Sequence, residues 1–335
     1  MDAGRRTGPR LGFGCVDLGS ATRGSSVKRD VRLVHAALDS GLTTFDTSGA
    51  YGNGASELIL GRALAGRRAG VTISTKVGYQ FVERSLRQQS MRRVLAPFVA
   101  RARARVAPSS SHRSSSTSAY SAQDFSAPAI TAGLESSLRR LRTDHIDVLH
   151  LHAPRSVLPA AQAAVEQLVA SGKVHRFGIG AEHVDVAAAW MAETRVDVLQ
   201  VPFGVLDPEA ATEIFPDAIR SGVSIWTRGV LGGGYIALAM QEDADPGSTF
   251  LRSDPKWPLI EDLLRTASQA GVPLSRLALD YVRSCDGIEV ILIGIHSTEH
   301  LARNLSVMSG PAADASLMEA TRAVLERWTR PDATL

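Results

Sequence analysis

The chain has 335 residues, of which 44% are hydrophobic, and its 37 basic and 34 acidic residues leave a net charge of +3. That balance is too close to neutral to indicate nucleic-acid binding. The two cysteines, Cys15 and Cys285, are far apart, so they give neither a disulfide framework nor the ligand spacing of a metal site. Because no run of about 18 apolar residues occurs, we expect a soluble cytoplasmic protein without a membrane span.

Short apolar runs alternate with segments of helical period, which is the pattern of βα units around a parallel sheet. The predicted strands cover residues 11–14, 43–46, 71–75, 146–151, 174–179, 196–201, 223–227 and 288–293. The predicted helices cover residues 31–39, 56–64, 129–141, 160–170, 184–191, 208–219, 259–269 and 275–282. Several helices are followed by a glycine suited to a left-handed cap, namely Gly41, Gly172, Gly222 and Gly271.

Alternation of strand and helix does not by itself separate a barrel from a two-domain doubly wound fold. A dinucleotide-binding fold of the second kind requires the pattern GxGxxG after its first strand. Residues 11–17, LGFGCVD, supply two of these glycines and lack the third. Any nucleotide is therefore held in another way.

Four residues at or just beyond predicted strand ends have the chemistry of a joint proton and hydride transfer: Asp46, Tyr51, Lys76 and His152. A tyrosine is a weak acid with a usual pKa of about 10, and a neighbouring ammonium favours its phenolate. A carboxylate would keep that ammonium charged, and an imidazole would orient a substrate carbonyl. Each residue alone has an ordinary structural explanation, but an α/β barrel builds its site where parallel strands end. The set therefore predicts a reductase.

Residues 80–125 interrupt the alternation. The segment is rich in arginine and continues into a serine-rich tract at residues 108–118, a composition that predicts a flexible low-complexity loop. Because the loop follows Lys76, two interpretations stay open. It is either a lid over the site or a solvated insertion with no part in turnover.

Several motifs together resemble the aldo-keto reductases. Residues 41–64, GLTTFDTSGAYGNGASELILGRAL, carry the family's spacing of Asp46 and Tyr51 and its following Ser-Glu and Leu-Gly pairs. STKVG at 74–78, LRRL at 138–141, DVLHLHAP at 147–154 and SGKVHRFGI at 171–179 match the family in order. The similarity covers nearly the whole chain outside residues 80–123.

The resemblance implies an α/β fold of the (β/α)8 TIM-barrel type, formed by residues 1–335 as one domain with the loop at 80–125 inserted after the third strand. It also implies an NAD(P)-dependent oxidoreductase that reduces an aldehyde or ketone, or oxidises a sugar lactol. Tyr51 would be the general acid, Lys76 and Asp46 would tune it, and His152 would orient the carbonyl. The family spacing selects His152 rather than His150. The alternative is a catalytically weak, nucleotide-binding regulatory member of the same fold.

The resemblance also implies a cofactor site. Gln200 would hold the nicotinamide carboxamide, Trp226 would stack on the nicotinamide ring, and Asn304 would reach the adenine. Ser297 would open a helix whose free N–H groups suit the adenosine phosphate. The other expected cofactor-binding residues are Gly14, Cys15, Thr227, Arg228, Gly294 and His300.

The chain departs from the family pattern in three places. Gly180-Ala181 replaces a Ser-Asn pair whose asparagine contacts the carboxamide, so that contact is absent or is supplied by Glu182 or His183. His296 and His300 stand where the family often has Arg or Lys for a 2′-phosphate, so NADP is expected and NAD stays possible. Ala153 stands where many members carry a large aromatic, which predicts a wide pocket for a small-molecule carbonyl or sugar.

Overall fold

The computed structural model describes residues 8–20, 26–83, 122–236, 254–311 and 313–329. Eight strands form a closed barrel in which hydrogen-bonded neighbours follow chain order from β1 to β8. They are β1 Arg10–Gly14, β2 Thr44–Asp46, β3 Thr72–Val77, β4 Ile146–His152, β5 Val174–Gly180, β6 Val198–Pro202, β7 Ser224–Arg228 and β8 Ile288–Gly294. The predicted barrel is confirmed, with each strand within two residues of its predicted bounds.

Eleven α-helices lie in the described residues. They are α1 Val27–Asp39, α2 Ala55–Ala63, α3 Ala127–Leu141, α4 Pro159–Ala170, α5 Val184–Glu193, α6 Ala210–Glu213, α7 Phe215–Ser221, α8 Trp257–Gln269, α9 Leu274–Arg283, α10 Thr298–Ser309 and α11 Ala315–Thr329. None of them is both long and apolar enough to cross a membrane. The four glycines expected at left-handed caps all have positive φ, between 66° and 85°.

One predicted helix was wrong. Residues 208–219 were expected to form a single helix, but α6 and α7 divide at Ile214, where φ is −126°. Pro216 lies in the first turn of α7 and has no N–H, and its ring cannot follow a continuous helical turn. The sequence analysis also missed α11 altogether.

The barrel residues fall into two compact units, each with its own apolar packing. The first unit is Gly12–Gly180 with Gly294–Leu301, and the second is Met1–Leu11, Ala181–Ile293 and Ala302–Leu335. In the first, Phe13 and Phe45 stack with their ring centroids 5.6 Å apart. In the second, Phe203 packs against Phe215 at 4.7 Å. This burial of apolar surface is the main stabilising term for both units.

The serine-rich part of the predicted insertion lies outside the described residues. The two ends of the insertion are described, and Tyr79 pairs with Gln123 in an antiparallel bridge. Backbone hydrogen bonds on either side of this bridge join Gln80 N to Ala122 O at 3.1 Å and Asp124 N to Gly78 O at 2.7 Å. The two described ends of the insertion are therefore paired with each other directly after β3.

Candidate active site

Three adjacent strands of the first unit carry three of the four predicted catalytic residues. Asp46 ends β2, His152 ends β4, and Lys76 lies inside β3 rather than beyond it. Asp46 pairs with Ser74, and Lys76 pairs with His150. Because strand residues two apart share a face, this register places the polar side chains of the three strands on the same side of the sheet.

Lys76 and Asp46 form a buried ion pair. The distance from Nζ to Oδ2 is 2.6 Å, and only 2% and 7% of the two side chains are exposed. Ser74 Oγ donates to Asp46 Oδ1 at 2.8 Å, and Lys76 Nζ also donates to Thr47 O at 3.0 Å. Burial is the largest single influence and lowers the pKa of Lys76, but the charges and hydrogen bonds of Asp46 and Tyr51 together raise the pKa above its usual value. The ammonium therefore stays charged.

Tyr51 lies against this ammonium. Lys76 Nζ is 5.1 Å from the centroid of the Tyr51 ring, and the tyrosine also helps to raise the pKa of Lys76. Tyr51 lies in a turn after β2, in which Tyr51 N donates to Ser48 O at 3.1 Å, and this turn positions the phenol ring. The half-buried phenol is thus next to a fixed positive charge.

The structure places His152 beside Tyr51. The Tyr51 and His152 rings meet edge to face with centroids 5.9 Å apart, and His152 Nδ1 is 3.2 Å from Ser48 Oγ. His150 is fully buried, and burial followed by the charge of Lys76 lowers its pKa to about 3. His150 is therefore neutral, whereas His152 is half-buried at the strand end. The structure brings Asp46, Tyr51, Lys76 and His152 together, and their catalytic roles stay predictions.

Tyr79 adds an aromatic ring that the sequence analysis missed. Its centroid is 4.8 Å from that of His152, with the two planes at 89°. Ala153 itself is buried, with φ of 54°. The residue before Ala153, His152, is therefore in contact with the aromatic ring of Tyr79. The wide pocket expected from Ala153 stays a prediction.

The Ser-Glu and Leu-Gly pairs of the signature have structural contacts. Glu57 is fully buried, and its carboxylate accepts from Arg140 Nε at 2.6 Å and from Thr75 Oγ1 at 2.5 Å. Gly61 lets α2 approach α3 closely, because a Cβ there would lie 2.5 Å from Arg140 O. These contacts join α2, α3 and β3. They support the strand that carries Lys76.

Gly14 and Cys15 lie next to Asp46. Gly14 pairs with Asp46, and Cys15 N donates to Asp46 O at 2.8 Å. Burial, followed by the charge of Asp46, raises the pKa of the Cys15 thiol well above its usual value, although Lys76 acts the other way. The thiol is therefore protonated, and it is fully buried.

The predicted nicotinamide residues of the second unit are buried on β6 and β7. Gln200 pairs with Trp226, and Gln200 O accepts from Ala181 N at 2.9 Å. Trp226 is fully buried and its indole N–H donates to Glu289 Oε2 at 3.2 Å. Its ring therefore has no exposed face for stacking, and the predicted stacking stays a prediction. Among the described residues, the buried Thr227 Oγ1 has no hydrogen-bond partner.

Arg228 occupies the region where the chain departs from the family's Ser-Asn pair. Its guanidinium donates to Ala181 O at 2.9 Å and pairs with Glu182 Oε2 at 2.9 Å. Glu182 is thus paired with Arg228, and its replacement of the missing asparagine contact stays a prediction. Arg228 is therefore the donor that contacts residues 181 and 182.

The residues after β8 lead into the start of α10 in the first unit. Ser297 Oγ accepts from His300 N at 3.2 Å, so Ser297 caps α10 as predicted. His296 Nδ1 is 3.2 Å from Asp17 Oδ2, and His296 O accepts from Arg29 Nη2 at 3.2 Å. Gly294 ends β8, and Asn304 lies one turn beyond His300 on α10. The sequence analysis missed Asp17 and Arg29, which no local motif marks.

A second polar cluster lies at the other end of β4. His145, Asp147 and His175 bring ligand atoms within 4.8 Å of one another. Arg68 Nη2 stands between two of them, 3.0 Å from His145 Nε2 and 2.7 Å from Asp147 Oδ2. The guanidinium thus already contacts two of the three residues of this cluster. The cluster is therefore an arginine-centred ion-pair network.

The comparisons with known proteins agree with this architecture. The model of the aldo/keto reductase family matches residues 10–325. D-threo-aldose 1-dehydrogenase from a Pseudomonas species is 26% identical over 308 residues, covering 88% of this chain and 88% of that protein. An aldo-keto reductase from Bacillus halodurans in its holo form superposes with a TM-score of 0.75 at 22% identity, covering 97% of this chain and 94% of the other.

A further solved structure has the same fold. An aldo/keto reductase from Klebsiella pneumoniae, in complex with NADP and acetate, superposes with a TM-score of 0.66 at 21% identity, covering 95% of this chain and 92% of the other. The family model spans nearly the whole chain, from β1 through most of α11. The chain therefore belongs to the aldo/keto reductase family.

Proposed function

We propose that the protein is an NADP-dependent oxidoreductase that reduces an aldehyde or ketone to an alcohol, or oxidises a sugar lactol by the reverse reaction. The observation that carries the proposal is the buried pair of Lys76 and Asp46 beneath the ring of Tyr51. A buried charge is costly unless it is paired, so the pair is a candidate for a functional role. Placed beside a phenol, the ammonium stabilises the phenolate that remains after proton transfer.

In the proposed reduction, a hydride is added to the carbonyl carbon and a proton to the carbonyl oxygen, while the C=O π bond breaks. A reduced nicotinamide, when bound, would supply the hydride and would itself be left oxidised. Tyr51 Oη supplies the proton, Lys76 stabilises the phenolate, and solvent then returns the proton to Tyr51. His152 donates a hydrogen bond that orients the carbonyl.

The cofactor proposal rests on the donor sets of each unit. In the first unit, the capped start of α10, with His296, His300 and Arg29 nearby, is suited to an adenosine phosphate. The NADP in the Klebsiella relative and the family habit favour NADP, whereas Asp17 beside His296 keeps NAD as the alternative. In the second unit, we propose Gln200 and Arg228 as donors to the nicotinamide half and its phosphates.

The relative that oxidises D-threo-aldoses supports sugar lactols as one substrate class, alongside other small carbonyl compounds. The alternative of a regulatory protein with negligible turnover rested on the altered Gly180-Ala181 pair. The assembled side chains of Asp46, Tyr51, Lys76 and His152 favour an enzyme over that alternative.

The test is a spectrophotometric assay. Purified protein is incubated with NADPH and a panel of aldehydes, and with NADP and a panel of aldoses, while absorbance of the reduced nicotinamide is followed. We expect turnover in at least one panel that Lys76→Met abolishes. Tight NADPH binding with no turnover in either panel would instead support the regulatory alternative.

A further inference from the structure

The hydroxyl of Ser48 is buried beside the imidazole of His152. Ser48 is fully buried, and its Oγ lies 3.2 Å from His152 Nδ1. The same Oγ accepts from the backbone N–H of Ala50 at 3.2 Å. The turn that follows β2 therefore places two groups against the ring of His152: the hydroxyl of Ser48 and the phenol of Tyr51.

The position of the hydroxyl proton follows from these contacts. A serine hydroxyl has one proton to donate, and a buried donor that makes no hydrogen bond is costly. In the described part of the chain, the only acceptor within hydrogen-bond distance of Ser48 Oγ is His152 Nδ1. We propose that Ser48 is a positioning residue that donates to Nδ1 and so holds His152 as the neutral tautomer with its proton on Nε2.

Neighbouring groups constrain the plane of the His152 ring, and the contact with Ser48 marks which ring nitrogen faces the serine. The edges of Tyr51 and Tyr79 meet the imidazole at 5.9 Å and 4.8 Å between centroids. The Nε2 amide of Gln123 donates to the carbonyls of His152 at 3.0 Å and Ala153 at 2.9 Å. The hydrogen bonds from Gln123 hold the backbone of residues 152 and 153, and the two tyrosine rings hold the plane of the imidazole.

This inference rests on the proposed function for its consequence. A carbonyl oxygen is a hydrogen-bond acceptor, so an imidazole that orients it must present an N–H. A proton on Nε2 provides that donor without requiring a second positive charge beside Lys76. In general, the hydrogen bond made by one ring nitrogen decides which nitrogen carries the proton. Ser48 acts through His152 and does not itself touch the substrate.

The direct test reads the tautomer without any substrate. Protein labelled with ¹⁵N-histidine is examined by long-range ¹H–¹⁵N correlation spectroscopy, and the signals of His152 are assigned by their loss in His152→Asn. We expect an unprotonated Nδ1 and a protonated Nε2 in the wild-type protein. A proton on Nδ1 would overturn the inference, whether or not the protein reduces carbonyls.

Variants of the serine provide the second test. Ser48→Ala should convert His152 into a mixture of tautomers and lower kcat by about tenfold while leaving the Kd for NADPH unchanged, and Ser48→Thr should restore both properties. Ser137→Ala is the matched control, because Ser137 is also buried but contacts Arg140 instead. An unchanged tautomer in Ser48→Ala would refute the role of Ser48. Absence of all turnover in the wild-type protein would refute only the proposed function.

Discussion

The carboxylate of Asp46 lies 2.6 Å from the ammonium of Lys76, and both side chains are more than nine-tenths buried. Such a pair constrains both partners, because neither charge can lose the other without being left unpaired in a medium of low polarity. The ammonium of this pair also places a positive charge 5.1 Å from the centroid of the Tyr51 ring. Stability and chemistry are therefore coupled at this site.

The first prediction concerns that coupling. Asp46→Asn should lower the free energy of unfolding by about 3–5 kcal/mol, because it leaves the ammonium buried and unpaired, and adding Lys76→Met should recover part of the loss. Urea denaturation at neutral pH measures both. The control is Asp39→Asn, since Asp39 and Arg67 form an exposed pair that should contribute less than about 1 kcal/mol. Equal decreases in the free energy of unfolding for Asp46→Asn and Asp39→Asn would show that the buried pair stabilises the protein no more than the exposed pair.

The second prediction concerns the proton donor. Tyr51→Phe removes only a hydroxyl, so turnover should fall by at least about 100-fold while the Kd for NADPH changes by no more than a few fold. Steady-state kinetics and fluorescence titration measure the two quantities. Tyr79→Phe is the matched control, because it removes a phenol oxygen beside the same histidine and leaves the ring contact in place. Wild-type turnover in Tyr51→Phe would rule out its role as the acid.

The third prediction follows from the pKa of His150, which burial and the charge of Lys76 lower from 6.5 to about 3. Between these two values the unfolded chain binds a proton here that the folded protein does not, so stability falls as the pH falls. This one group should cost about 2 kcal/mol between about pH 7 and about pH 5. Replacing it by His150→Leu should remove that part of the acid sensitivity. Denaturation curves with the same pH dependence for both proteins would contradict the prediction.

The fourth prediction concerns the cofactor. If His296 and His300 contact a 2′-phosphate, their protonated forms should bind it better, so the preference for NADPH over NADH should increase as the pH falls from about 8 to about 6. Binding titrations of both cofactors across this range measure the ratio. The double variant His296→Gln with His300→Gln should lose the pH dependence. A ratio that does not change with pH in the wild-type protein would point to Arg29 or backbone N–H groups as the phosphate ligands.

Local patterns determined most of the fold. The β-branched runs and the helical segments between them located all eight strands. The capping glycines marked helix ends, because glycine adopts the positive φ of a left-handed cap without steric cost. The residue types of Asp46, Tyr51, Lys76 and His152, each placed at or just beyond a predicted strand end, located a candidate site. These features depend on residues close in sequence or on a regular period, so they can be read without coordinates. The break at Ile214 shows the limit, because a single proline overrode the helical pattern.

The tertiary structure alone decided which side chains meet across long sequence separations. Strand residues two apart share a face, so the sequence had only family spacing to separate His150 from His152, and burial and the contact with Tyr51 then distinguished them. Three other contacts likewise have no periodic signal in the sequence: Arg228 with Glu182, Asp17 with His296, and Ser48 with His152. The physical reason is that hydrogen bonds and ion pairs act over a few ångströms in space, and strand register fixes those distances for residues that are far apart along the chain.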